Sequence, residues 1–115
     1  MVEALVERIN FILSLQDDWD GEGSPGYKRE TIDKALKAMG KMKPILEEKF
    51  LEVPEPEFNQ GPNGGIDVEW EGRNYSILLY VPPGNLEPDF FGGTHYGKGH
   101  KDNWKDKISG KFSLD

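Results

Sequence analysis

The chain predicts an α+β domain: two N-terminal helices packed on one face of a four- to five-stranded antiparallel meander. Three observations carry this. The apolar period is helical up to about residue 50 and becomes strictly alternating after residue 65. The Val53-Pro54-Glu55-Pro56 segment, which cannot be helical, separates the two regimes. The 115 residues contain 6 Phe, 4 Tyr and 3 Trp, enough large side chains to build a core in an otherwise polar chain. With no repeat and no long linker, residues 1–115 read as a single domain.

Residues 2–15 are expected to form the first helix. Val2, Leu5, Val6, Ile9, Ile12 and Leu13 fall on one side, with Glu3, Glu7, Arg8, Asn10 and Ser14 on the other. Charges at this spacing argue against a signal peptide. The run from Asp17 to Gly26 combines acids, glycines and a proline and must be a loop. Within it, Trp19 is expected to plug the core, because an exposed indole among carboxylates has no evident stabilising role. A second helix starts near Lys28, with Ile32, Leu36, Met39, Met42, Leu46 and Phe50 as its stripe. Pro44 would clash with the carbonyl of Gly40, so a kink or break is expected at 40–44.

In the second half, Ile66, Val68 and Trp70 alternate with Asp67, Glu69 and Glu71; Tyr75, Ile77, Leu79 and Val81 then alternate with Ser76, Leu78 and Tyr80. A two-residue turn at Gly72-Arg73 would set Trp70 opposite Tyr75, Val68 opposite Ile77 and Ile66 opposite Leu79. A strand near Pro56–Gln60 precedes this hairpin. A tight turn at Asn63-Gly64 would put Phe58 opposite Glu69, so a longer loop is expected there. Residues 89–96 look extended, 97–104 form a polar loop, and Ile108, Gly110 and Phe112 alternate in a final strand.

Two signatures stand together: Trp19-Asp20-Gly21 with Gly23-Ser24-Pro25, and Gly64-Gly65-Ile66-Asp67-Val68-Glu69-Trp70. The pair resembles a loose group of small prokaryotic proteins with a W-D-G-x-G-x-P loop and a later D-G-G-[IV]-x-[LIV]-E-W strand. Asn63 departs from the group's usual Asp. The resemblance implies the order of elements and a prokaryotic, cytoplasmic origin. It implies no activity and no catalytic residue.

The formal charge is −7. Residues 1–93 hold nine Lys/Arg against eighteen Asp/Glu, a net −9, whereas residues 94–115 hold five Lys against three Asp, a net +2. An acidic body repels phosphates and disfavours nucleic acid. Abundant Glu and Lys with scarce Gln give a thermophile-like balance. No cysteine is present for disulfide or thiolate chemistry, and no stretch is apolar enough to suggest membrane residence.

No constellation satisfies the demands of a reaction. Counted from Asp18, the acidic loop matches an EF-hand at Asp20, Glu22 and Gly23, but Arg29 stands where a bidentate Glu is required. Gly92-Gly93-Thr94-His95-Tyr96-Gly97-Lys98-Gly99 approaches a phosphate-binding loop, but Gly99 lacks the hydroxyl for Mg²⁺ and no apolar helix follows. His95 and His100 read as solvated loop residues rather than ligands. No serine sits in a nucleophile elbow. The expected function is therefore a non-enzymatic interaction or accessory protein without a cofactor. Its partner would be another protein or a second copy, and its acidity suits neutralising a basic partner. A small-ligand or cation-binding module built on the Asp17–Glu22 loop or the Gly92–His100 segment is the alternative. The expected contact surface is the solvent face of the hairpin, where Leu78 and Tyr80 stand beside Asp67 and Glu69. Phe90 and Phe91 are the residues that could fold over it.

Overall fold

The computed structural model describes residues 2–96 and 104–115; of Val2 only the backbone is included. Two helices, α1 (Val2–Ser14) and α2 (Arg29–Lys49), precede five strands: β1 (Glu57–Gln60), β2 (Ile66–Glu71), β3 (Tyr75–Val81), β4 (Asp89–Thr94) and β5 (Ile108–Lys111). The strands form one antiparallel meander in the order β1-β2-β3-β4-β5. α1 lies against β1, and α2 against β2 and β3. The polar loop expected at 97–104 lies outside the described residues as far as residue 103.

Strand alternation decides the faces. Phe58, Ile66, Val68, Trp70, Tyr75, Ile77, Leu79 and Val81 are all buried in a core shared with Ile9, Ile12, Ile32, Ala35, Ala38, Met42 and Leu46. The innermost line of α2 includes Ala35 and Ala38, whereas Leu36 and Met39, expected at its centre, are only partly buried. Alanine lets the helix axis approach the sheet, which the larger side chains of the stripe then flank. The break expected at 40–44 is absent: α2 runs through Pro44. Burial of Met42 and Leu46 on the same sheet face holds the later turns in line.

The β2–β3 register differs from the expected one by two residues. Trp70 faces Ile77, Val68 faces Leu79 and Ile66 faces Val81. The turn falls on Arg73-Asn74, with the Gly72 amide donating to the Tyr75 carbonyl at 2.9 Å. The physical reason is Tyr75. Its ring stacks on Phe50, centroids 3.8 Å apart, and its hydroxyl donates to the Glu52 carbonyl at 3.2 Å. A Cβ on Gly72 would lie 2.1 Å from that ring, so this glycine is needed for close approach rather than for a turn. A two-residue slip keeps every side chain on its face, which is why the alternation held while the pairing moved. Phe58 faces Val68, as the longer 61–65 connection allows; that connection contains a short 3₁₀ turn, Pro62–Gly64.

Two basic side chains fasten segments, one of them the Arg8 expected on the polar side of α1. The Arg8 guanidinium donates to the Phe58 carbonyl at 3.0 Å and to Asn59 Oδ1 and Gln60 Oε1 at 2.6 and 2.7 Å, tying α1 to edge strand β1. Lys34 Nζ donates to the carbonyls of Pro82, Gly84 and Leu86, holding the β3–β4 connection against α2. Burial draws the Lys34 ammonium below its ordinary value.

Candidate functional site

The register turns the outer face of the sheet into rows of neighbouring residues. One row runs Asn59, Asp67, Tyr80, Asp89, Lys111; the next runs Glu57, Glu69, Leu78, Phe91, Ser109. All four residues expected at the contact surface therefore share this face, with Asp67 directly opposite Tyr80 and Glu69 directly opposite Leu78. Each is half-buried.

Tyr80 is committed to the fold more than to solvent. Its ring covers Gly65, where a Cβ would come within 2.5 Å, and its hydroxyl donates to the Pro62 carbonyl at 2.7 Å. Phe91 replaces it as the exposed apolar residue. The two phenylalanines expected to act together are split by alternation. Phe90 faces Leu79 and packs on the core, while Phe91 faces Leu78 on the outer side and is 48% exposed. Trp104, expected only in a loop, reaches the same face. It pairs with His95 across an isolated bridge and meets the Phe91 ring edge-on at 6.0 Å. Reading 89–94 by its period of two would have separated Phe90 from Phe91; nothing local marks Trp104.

The carboxylates on this face are not equivalent. Asp67 sits against Gly61, and burial, followed by the neighbouring charge of Glu69, raises its carboxyl above the usual range. Burial also raises the Tyr80 phenol, assisted by Asp67 and Asp89. Asp89 is paired with Lys111 at 2.7 Å.

His95 is not solvated: it is 1% exposed, its Nε2 lies 3.1 Å from Ser76 Oγ, and Trp104 stands edge-on to its ring at 5.5 Å. Ser76 Oγ in turn donates to Glu71 Oε2 at 3.2 Å. A nucleophilic triad needs the order hydroxyl, imidazole, carboxylate, so that the histidine accepts the hydroxyl proton. Here the serine donates to the carboxylate, and it is buried on the outer face next to His95. The arrangement satisfies buried polar groups.

The two sequence signatures meet at one end of the sheet. Gly64 lies against Pro25 and the Gly26 carbonyl, and the Tyr27 hydroxyl donates to the Gly61 carbonyl at 2.7 Å. Trp19 does not fill the core. It is 36% exposed, donates from Nε1 to the Pro25 carbonyl at 3.1 Å and leans on Tyr27 with centroids 6.2 Å apart. Tyr27 occupies the buried position that Trp19 was expected to take.

The acidic loop spends its carboxylates on its own backbone. Asp17 Oδ1 accepts from the Gly26 amide at 2.9 Å, Asp18 Oδ1 from Gly23 at 2.7 Å, and Asp20 from Glu22, Ser24 and the Ser24 hydroxyl. The Ser24 hydroxyl, then the Glu22 amide, hold the Asp20 carboxyl below its usual value. These are the bonds of an Asx-type turn. Among the described residues no three His, Asp or Glu side chains converge as a metal site. Gly92, Gly93 and Thr94 are paired in β4, so the phosphate-loop look-alike begins as strand, not loop; His100 lies outside the described residues. Among the described residues no helix is long and apolar enough to cross a membrane.

No family model matches the chain, and no curated protein or solved structure matches it either.

Proposed function

We propose that this chain is a protein-interaction or accessory protein with no reaction of its own, and that the outer face of its sheet is the contact surface. The observation that supports this most is Phe91, half exposed beside Leu78 in a row that begins with two glutamates. An apolar centre with a polar, charged rim is the usual composition of a binding patch. Carboxylates along β1 and β2 suit a partner that is basic where it meets them. A prokaryotic, cytoplasmic setting accords with the reading. The test is the pair Leu78→Ser with Phe91→Ser. The expected result is a melting temperature within a few degrees of the parent and loss of association, followed by cross-linking and by sedimentation. Cooperative loss of stability with association intact would assign these side chains to the core and sink the reading. Calcium titration addresses the rival cation-binding reading. Because Asp17, Asp18 and Asp20 already serve loop amides, no rise in melting temperature is expected.

A further inference from the structure

We propose, building on that reading, that the partner of this face is a second copy of the chain, packed sheet to sheet about a two-fold axis that runs parallel to the strands between β3 and β4. The charge pattern across the sheet argues for it. From β1 to β5 the outward residues pass from Glu57 through Asp67, Glu69 and Glu71 to the apolar Leu78 and Phe91. They end at Ser109 and at Lys111, which is paired with Asp89 of β4, with Lys105 and Lys107 exposed on either side of Asp106 on the approach to β5. The gradient repeats within the fold what the sequence shows along the chain, an acidic body and a basic C-terminal segment.

Such a gradient is complementary to itself in one orientation only. A two-fold axis along the strands exchanges left and right. It sets the β2 carboxylates of one copy over Lys111 and the lysines that precede β5 in the other, and Leu78 over Phe91. A two-fold axis across the strands would lay acid on acid and lysine on lysine, which is repulsive. Paired sheets pack about 10 Å apart, a distance that Leu and Phe side chains fill from both sides.

The area sets the strength. Four overlapping strands at about 4.8 Å spacing, six residues long at about 3.3 Å each, cover roughly 400 Å² per copy. The total of about 800 Å² belongs to weak, transient contacts rather than obligate dimers. The association is therefore expected at high micromolar concentration and to weaken with salt, because its rim is ionic.

Charge exchange tests the geometry. One variant carries Glu57→Lys and Glu69→Lys; the other carries Lys105→Glu and Lys107→Glu. Each alone should weaken self-association by about tenfold, the effect of several rim charges of a few tenths of a kcal/mol apiece. An equimolar mixture of the two should associate again, since the lysines introduced on one copy then meet the carboxylates introduced on the other. Sedimentation velocity across a concentration series, at low and high salt, reads the parent, both variants and the mixture, and melting curves confirm that each is folded. Weakening in both variants together with restoration in the mixture supports the arrangement that sets carboxylates over lysines. A parent chain that stays monomeric at millimolar concentration, or a mixture no better than its components, overturns it. In that event, loss of cross-links to a different protein in the Leu78→Ser, Phe91→Ser variant leaves the interaction reading standing. No change in that variant removes both.

Discussion

On the side of the sheet that meets the helices, Ile66, Val68 and Trp70 are almost wholly withdrawn from solvent, while on the reverse of the same strand Asp67, Glu69 and Glu71 remain partly exposed. The contrast continues into β4, where Phe90 belongs to the core and its neighbour Phe91 does not. Adjacent residues thus live in different solvents. The inner face is tuned to volume, so its substitutions should act on stability. The outer face carries charge and one exposed ring, so its substitutions should act on association.

Trp70→Ala should produce the largest effect, a loss of about 3–5 kcal/mol in denaturant unfolding, the range for deleting a buried aromatic. Trp70 is 1% exposed on the inner face. A loss below about 1 kcal/mol would mean that the inner face is not the core.

Gly72→Ala probes the turn. The added methyl meets the Tyr75 ring, which Phe50 and the Glu52 carbonyl hold in place, so a cost of about 1–3 kcal/mol is expected. A neutral result in a thermal melt would place the turn at Gly72-Arg73 after all. Gly40→Ala is the control in open space: nothing lies within 4 Å of its Cβ position in α2, and a gain of about 0.5–1 kcal/mol is expected.

Phe91→Ser should change stability by less than about 1 kcal/mol, because the ring is half exposed and meets Trp104 edge-on. A cost like that of Trp70→Ala would erase the distinction between the faces.

The smallest effect concerns Asp67, and its sign follows from proton binding. Its folded carboxyl titrates above the ordinary value, so the folded state holds the proton more tightly than the unfolded chain does. The charged form is the disfavoured one. The penalty is absent below the unfolded pKa of about 3.8 and develops as pH rises through the folded value. Asp67→Asn should therefore raise the melting temperature slightly at pH 7 and leave it unchanged near pH 3. The opposite pattern would show that the carboxylate stabilises the fold.

What the sequence by itself determined is whatever depends on local period and composition. The order of two helices and a meander, the sheet face carried by Ile66, Val68 and Trp70, and the acidic row opposite them follow from alternation, which a two-residue slip leaves intact. Tertiary structure alone decided the rest, because those features depend on which distant group packs into a given place. Tyr75 chose Phe50 over Trp70 and moved the turn by one residue. Tyr27 reached the buried position at the Gly61–Gly65 loop and left Trp19 on the surface. Ser76 and Trp104 enclosed His95, and Tyr80 closed over Gly65, so that Phe91 became the exposed ring. In each case several side chains of similar apolar character competed for one site, and only the three-dimensional reach of the chain, which no local pattern encodes, settled which of them filled it.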